Sequence, residues 1–390
     1  MLEPDTMPPG ASTPTTPHQT HWLRLTATYS IVHGLAEFLT GLTLFAMLGT
    51  WSGTWQFPVY SLVAFGTPIF IAAALLSGRR SHWPEGVVGL LGALVACAGM
   101  VVCHVDWAAV ALLGIGSAVL HIAAGTATLK APRPGTAVGV FESTGAVGLA
   151  LGSIAGINTG AAVIPWVSAV VMALSGIAVF TWGTDRASAG IGSQITSDWP
   201  VTKPRRFSWI KPLRHKLSGD RFVLVALVAL MAVSVIRMVV VQATPKPWEQ
   251  GSLVVAAACC VALGRALGGI LADRFGFSAT AAAGFVAAAG LLAIWPNAAG
   301  TSLAGCFLLG LPMAPVILAL TKLTRRTSVA FGLAQVCQVP SALVVGLVLG
   351  PWAVLAALLA CAAVVVGLAR LDQTDAVRPT GHHSSMSWAQ

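Results

Sequence analysis

Apolar residues occur along the chain in runs of about twenty, separated by short polar segments, and about twenty residues is the length that a membrane span needs. At a rise of about 1.5 Å per residue, such a helix crosses the hydrocarbon core of a bilayer, which is about 30 Å thick. Weak alternation and frequent glycine favour helices over a β-barrel. We place twelve spans at residues 24–50, 58–77, 86–103, 107–129, 136–159, 161–183, 222–243, 251–270, 278–295, 301–320, 329–350 and 351–369.

The composition agrees with this pattern. Of 390 residues, 56% are hydrophobic and 9% charged, whereas a soluble domain has about 25% charged residues. The seven cysteines lie in or at the ends of apolar runs, with neither the spacing of a zinc site nor a disulfide framework. We therefore expect a polytopic membrane protein without a bound metal or cofactor.

Positive charge is confined to one set of connections. If both termini are cytoplasmic, all 22 Lys and Arg lie in cytoplasmic segments except Lys246, Arg237 and Arg265. This bias predicts a multi-pass protein of the plasma (inner) membrane with both termini inside. The net charge of +9 then reflects topology, and we do not expect nucleic acid as a partner.

A polar, basic segment divides the spans into six and six. We predict a disordered cytoplasmic tail (1–22), a six-helix bundle (23–183), a basic linker (184–221), a second six-helix bundle (222–370) and a tail (371–390). The linker is either plainly solvated or lies on anionic lipid headgroups.

The connection between the eighth and ninth spans has the sequence GRALGGILADRFG, residues 264–276. It resembles the signature of the major facilitator superfamily, which implies twelve helices in two pseudo-symmetric six-helix bundles and transport of a small molecule. The carboxylate of Asp273 could accept from the N-terminal amides of a neighbouring helix or pair with a basic side chain, and so act as a conformational latch. Alternatively, it only marks a cytoplasmic loop. The matching residues are Gly264, Arg265, Gly269, Leu271, Ala272, Asp273, Arg274 and Gly276.

The first bundle has a weaker copy of this loop. The segment LLSGRRSHWPEG keeps Gly78, Arg79 and Arg80 but has no Asp at the corresponding place. An N-terminal latch is therefore in doubt.

The fifth span is similar to the antiporter motif of the superfamily. Its glycines recur at intervals that give one smooth helix face, although Ser153 and Ile157 depart from the motif. Ordinary packing of small residues is the alternative. The glycines are Gly139, Gly148, Gly152 and Gly156.

Two further stretches, HGLAEF in the first span and GIGSAVLHIAAG in the fourth, resemble the fosmidomycin-resistance branch of the superfamily. His33, Glu37 and His121 match that branch. Ala36 and Ile122 depart from it.

Five ionisable residues lie well inside the spans, where a charge costs about 2.5 to 3.5 kcal/mol on insertion scales. They are His33, Glu37, His121, Glu142 and Arg237. The resemblance implies that the first, fourth, seventh and tenth helices line a central cavity, and four of the five lie on these helices.

We predict Glu37 as the proton-coupling carboxylate, with His33 on the same helix face one turn away. The alternative is a permanent hydrogen bond or ion pair. His121 and Glu142 form either a second protonation site or a tie between the fourth and fifth helices.

Arg237 is either a counter-ion of a buried carboxylate or the site of an anionic substrate group. Tyr29, Gln335 and Gln338 are candidates for hydrogen bonds to the substrate, although paired glutamines more often join helices. Pro312, Pro315 and Pro340 are expected to interrupt the tenth and eleventh helices.

The sequence has no H-E-x-x-H, G-x-S-x-G or P-loop motif, so we expect no enzyme. We predict a monomeric secondary transporter in the bilayer that exports a small organic molecule, anionic or zwitterionic, in exchange for protons. The alternatives are proton-coupled uptake of a small anion, or a receptor or scaffold with a transporter fold.

Overall fold

The computed structural model describes residues 17–48, 56–77, 83–103, 106–159, 164–183, 219–243, 252–294, 298–340 and 349–372. Residues 1–16 and 373–390 of the predicted tails, residues 184–218 of the predicted linker and the loop Gly78–Arg80 lie outside the described residues. Residues 17–22, which were expected to belong to a disordered tail, instead form the start of the first helix. The helices of the first half are α1 (Pro17–Leu48), α2 (Gln56–Ala64), α3 (Thr67–Ser77), α4 (Glu85–Val101), α5 (Asp106–Thr128), α6 (Pro134–Thr159) and α7 (Ile164–Gly183). Those of the second half are α8 (Gly219–Ala243), α9 (Ser252–Phe275), α10 (Phe277–Ile294), α11 (Ala299–Gly310), α12 (Met313–Thr324), α13 (Thr327–Val336) and α14 (Pro351–Asp372).

The helices follow the predicted spans. Among the described residues, ten stretches are long and apolar enough to cross a membrane, with α2–α3 and α11–α12 each counting as one. The third and eleventh spans correspond to two shorter apolar helices, α4 and α13. Residues 341–348 of the eleventh span lie outside the described part of the chain. The prediction of an all-α membrane protein is confirmed.

The break in the tenth span was predicted from its prolines. α11 ends at Gly310 and α12 begins at Met313, directly after Pro312. Proline has no N–H to donate to the preceding turn, so a helix is interrupted there. Pro315 does not break α12, because it lies in the first turn, where the N–H groups have no partner within the helix. The prediction for Pro315 is therefore wrong.

Within the first half, α1 packs along α6, and α4 packs against α5 and α7. Within the second half, α10 packs along α14, and α9 packs against α11. Glycine permits the closest of these approaches. A Cβ atom on Gly148 of α6 would overlap the carbonyl group of Gly34 in α1, and one on Gly152 would overlap that of Phe38.

The two halves also contact one another. α6 packs against α9 and α12, and α13 packs against α3 and α5. Asp273 contacts Gly135, and Lys322 extends over the Phe277 ring, so the turns 129–133, 275–276 and 325–326 lie at one end of the bundle. We call it the basic end, and the charge bias predicts it to be cytoplasmic. Ser328 donates to the Ala73 carbonyl near this end, so contacts between the halves reach it.

The outer surface is apolar, as a lipid-facing surface must be. Val170 and Leu174 on α7 and Leu224 on α8 are each 60% exposed. An apolar surface of this kind is unfavourable in water and suits a hydrocarbon environment.

Candidate functional site

A cluster of polar side chains lies buried where α1, α5, α6 and α13 meet, and we call it the polar cluster. One helical turn separates its two members on α1, and one turn separates its two members on α5, so each pair projects from a single helix face. Its members are His33, Glu37, Ser117, His121, Glu142 and Gln335.

Glu37 lies at one side of the cluster. Its Oε1 accepts a hydrogen bond of 2.9 Å from the Ser117 hydroxyl. The same oxygen lies 3.9 Å from Nδ1 of His121. The predicted proton-coupling carboxylate is therefore joined to the predicted histidine of the fourth span.

The two histidines contact each other directly. Nε2 of His33 lies 3.1 Å from Nδ1 of His121, and the rings meet edge to face. Nδ1 of His33 lies 2.8 Å from the Phe141 carbonyl oxygen, and the His33 ring stacks on the Phe141 ring at 4.0 Å. Gly145 lies beside the same imidazole, where a Cβ atom would overlap it. The orientation of His33 is therefore set by α6.

The hydrogen-bond partners determine where protons lie on this pair. A carbonyl oxygen only accepts, so Nδ1 of His33 donates to Phe141. Nε2 of His121 lies 3.3 Å from Oε1 of Glu142 and donates to it whenever that carboxylate is ionised. The contact between the facing nitrogens is a hydrogen bond only when one of them carries a further proton. With that proton and an ionised Glu142 the pair carries one positive charge, and without it both facing nitrogens keep a lone pair.

Glu142 connects the two halves of the chain. Its Oε1 accepts from Nε2 of Gln335 at 2.7 Å, and its Oε2 lies 3.5 Å from Nη1 of Arg265. The same Arg265 nitrogen donates to the Glu142 backbone carbonyl at 2.9 Å. Glu142 belongs to the first half, whereas Gln335 and Arg265 belong to the second. The carboxylate therefore bridges the halves.

Sequence reasoning missed the pair between Glu142 and Arg265. It assigned Arg265 to the signature loop and paired Glu142 only with His121. The available signal was that Arg265 falls inside a span, where a guanidinium needs a partner.

Gln335 is completely buried, and Gln338 donates to its side-chain oxygen. Because Gln335 also donates to Glu142, it joins helices, which is the alternative considered for this pair. The Tyr29 hydroxyl is buried without a hydrogen-bond partner among the described residues.

Arg237 of α8 lies apart from the polar cluster's hydrogen bonds. Its Nη1 donates to the Leu309 carbonyl at 3.3 Å, and its Nη2 lies 3.1 Å from the Met238 sulfur. Within the described residues, no carboxylate oxygen comes within 4.0 Å of this guanidinium, although it is only 5% exposed. A buried cation without a direct ion-pair partner is costly.

The signature loop reaches across to the first half at the basic end. Oδ1 of Asp273 accepts from the Gly135 N–H at 2.9 Å, and Oδ2 accepts from the Thr136 N–H and hydroxyl, each at 2.7 Å. Both residues lie in the first turn of α6, where N–H groups lack partners within the helix. Of the two roles considered for Asp273, the structure shows the first, a cap on a neighbouring helix.

The other signature residues support this contact. Gly269 lies against the Gly135 carbonyl, and Gly264 against that of Phe307, so a Cβ atom at either would collide. Gly276 has φ of 90°, which favours glycine. Arg274 extends over the Phe275 ring at 5.3 Å.

The antiporter-like glycines face two different partners. Gly139 lies against Arg265 and Gly269 of the second half. Gly148, Gly152 and Gly156 lie against α1 within the first half. The first of the four is thus placed at the contact between halves, and the other three hold α6 against α1.

No protein-family sequence model matches the chain, and no curated protein matches it by sequence. Solved structures match it by fold. Each of the following likenesses covers about nine tenths of this chain, and together they show that the chain has the fold of the major facilitator superfamily.

One match is the superfamily transporter FucP in the outward conformation, with a TM-score of 0.57 and 13% identity, over 90% of this chain and 99% of that one. A second is the E. coli fucose:proton symporter FucP, with a TM-score of 0.55 and 13% identity, over 90% of this chain and 99% of that one. A third is the human organic anion transporter MFSD10 (TETRAN), with a TM-score of 0.54 and 14% identity, over 89% of this chain and 98% of that one. None of these three is a fosmidomycin-resistance protein, so that branch remains a prediction.

Proposed function

We propose that this protein is a secondary transporter that works by alternating access and exports a small organic anion or zwitterion in exchange for protons. The observation that carries the proposal is the bridge through Glu142, which is bonded to the histidine pair on one side and to the opposite half on the other. A change in the protonation of Glu142 would therefore alter the contact between the halves.

The proton path begins at Glu37 and passes through the histidine pair to Glu142. Each step lies within 3.9 Å, and all four side chains are buried. Protonation of Glu142 would remove the charge that Arg265 contacts and one acceptor that Gln335 uses. Both bonds hold the halves together near the basic end, so a proton at Glu142 would favour its opening.

The negative charge of the cargo is proposed from two buried arginines whose guanidinium groups have donors to spare. Arg237 has no carboxylate partner among the described residues, and Nε of Arg265 is buried without a hydrogen-bond partner there. Guanidinium groups recognise carboxylates and phosphates by paired hydrogen bonds. The MFSD10 structure is named as an organic anion transporter, which supports an anionic cargo. FucP is named as a fucose:proton symporter, which supports coupling to protons.

We further propose that the protein acts as a monomer in the plasma (inner) membrane with both termini cytoplasmic. The bundles 23–183 and 222–370 would rock about the polar cluster. The fosmidomycin-resistance-like assignment supports export over uptake, although the same geometry serves a proton-coupled importer of small anions.

The test is transport in proteoliposomes with an imposed pH gradient. A panel of small organic anions, zwitterions and neutral compounds is screened for counterflow and for gradient-driven accumulation. For an active compound, Glu37→Gln should keep counterflow and lose gradient-driven accumulation. Glu85→Gln is the matched control, because Glu85 pairs with Lys130 away from the polar cluster.

Two results would count against the proposal. If Glu37→Gln accumulates cargo against a gradient as well as the wild type, Glu37 does not carry the proton. If no compound moves with the protein present, while the protein is folded and inserted, a receptor or scaffold role is favoured.

A further inference from the structure

Three ligand atoms of the kind that transition metals prefer converge within the polar cluster. Nε2 of His33, Nδ1 of His121 and a carboxylate oxygen of Glu37 all lie within 4.8 Å of one another. The three side chains are buried and come from only two helices. His33 and Glu37 are one turn apart, the spacing by which a helix presents two ligands to one ion.

The far side of each imidazole is already held by an acceptor. Nδ1 of His33 donates to the Phe141 carbonyl, and Nε2 of His121 faces the Glu142 carboxylate. Histidines that bind metals nearly always donate their other N–H to a carbonyl or carboxylate, which fixes the tautomer and the ring orientation. Here both rings have such a partner, and the two remaining nitrogens face each other at 3.1 Å.

The separations suit a small divalent ion. Two nitrogens at about 2.0–2.1 Å from a tetrahedral ion are about 3.3 Å apart. The histidine nitrogens are 3.1 Å apart, and Oε1 of Glu37 is 3.9 Å from Nδ1 of His121. The remaining pair, Nε2 of His33 and the Glu37 carboxylate oxygen, lies within 4.8 Å, so the Glu37 side chain would have to move toward the imidazoles to complete three-ligand coordination.

We propose that His33, His121 and Glu37 bind one divalent transition-metal ion, of the class of Zn²⁺, Co²⁺ or Ni²⁺, with a fourth position open to water or cargo. Two imidazoles and one carboxylate are the protein ligands of several tetrahedral zinc sites with an open position. Imidazole discriminates against Mg²⁺ and Ca²⁺, which take oxygen ligands. The site goes beyond the proposed function but uses three side chains of the proposed proton path, so a bound ion would exclude protons from these ligands and block that path while it stays bound. It also departs from the expectation of no metal, which rests on cysteine spacing.

The sequence alone does not reveal this site, because its ligands are far apart along the chain. His33 and His121 are 88 residues apart, and their contact depends on α1 and α5 meeting at one point. Spacing rules find metal ligands within a loop or a helix, and this set combines a helical pair with a remote third ligand.

The test uses the full-length protein, purified in detergent without a polyhistidine tag and carrying His382→Gln and His383→Gln to remove the adjacent tail histidines. Co²⁺ is the probe, measured by equilibrium dialysis with elemental analysis and by its visible spectrum. We expect one Co²⁺ per chain with the absorption bands of a four-coordinate ion, displaced by Zn²⁺ and not by Mg²⁺.

Three variants locate the ion. His33→Gln and His121→Gln should lose stoichiometric Co²⁺ binding. Glu142→Gln keeps all three ligands but alters the partner of His121, and it should weaken binding about 10- to 100-fold. Glu85→Gln should bind as the background protein does. Circular dichroism and gel filtration show that each variant is folded.

Stoichiometric binding that survives both histidine substitutions would overturn the proposal. So would a folded background protein that binds no Co²⁺ above the level of protein-free detergent. Because binding is measured without a gradient or cargo, loss of the metal proposal leaves the transport proposal standing, and the reverse also holds.

Discussion

Arg265 of the second half donates to Glu142 of the first half, at 2.9 Å to its backbone carbonyl and at 3.5 Å to its carboxylate. This contact joins two motifs that are separate in the sequence. Arg265 belongs to the signature loop with Asp273, and Glu142 belongs to the polar cluster. A single guanidinium from the signature segment therefore contacts the carboxylate that faces the histidine pair.

Glu142→Gln should shift the protein toward a conformation open at the basic end. The amide removes the charge opposite Arg265, and a buried guanidinium without a counter-charge is stabilised by hydration on opening. Spin labels at the exposed positions Arg133 and Arg274 report the separation of the halves. We expect a larger populated distance than in the doubly labelled wild type. An unchanged distance distribution would show that the pair does not govern closure.

Asp273→Asn should also favour opening, by a smaller amount. A charged cap at a helix N-terminus contributes about 1 kcal/mol, so its loss changes the ratio of conformations roughly fivefold. Transport should fall more than it does for Arg79→Ala or Arg80→Ala in the first-half loop, because that loop has no Asp at the corresponding place. Initial rates under equal gradients compare the variants, and a larger defect in either arginine variant would contradict the asymmetry.

Much of the fold follows from the sequence because the bilayer restricts the choices. A run of about twenty apolar residues has to be helical, since lipid offers no partner for free N–H and C=O groups. The helix break at Pro312 could also be predicted, because proline has no N–H to donate to the preceding turn. Pro315 could not, because its effect depends on where the new helix begins.

The site was predictable only in part. Spacing along one helix places His33 beside Glu37, and depth along two helices brings His121 near Glu142. The bonds that Gln335 and Arg265 make to Glu142 depend on how the two halves pack together, and the periodicity of the sequence carries no information about that packing. The contact of Gly139 with Arg265 and Gly269 has the same origin.

Gly148→Ala should destabilise the first half. The new Cβ atom would meet the Gly34 carbonyl, and relief requires α1 and α6 to separate, which costs typically 1–3 kcal/mol for an overpacked contact. Gly290→Ala is the matched control, because a Cβ atom there meets nothing within 4 Å and alanine is the better helix former. Thermal unfolding in detergent should show a lower midpoint for the first variant only. Equal midpoints would mean that α1 and α6 adjust freely.

Arg237→Gln should weaken binding of anionic cargo by about 10- to 100-fold, since a hydrogen bond to a charged group is worth about 1.5–3 kcal/mol. Arg237→Lys should retain part of the affinity, because it keeps the charge but loses the paired geometry of the guanidinium. Binding of a neutral analogue of the same cargo should change little in either variant. Competition in the counterflow assay gives the apparent affinities. If the neutral and anionic compounds lose affinity equally, Arg237 holds the fold through its bond to the Leu309 carbonyl and does not select charge.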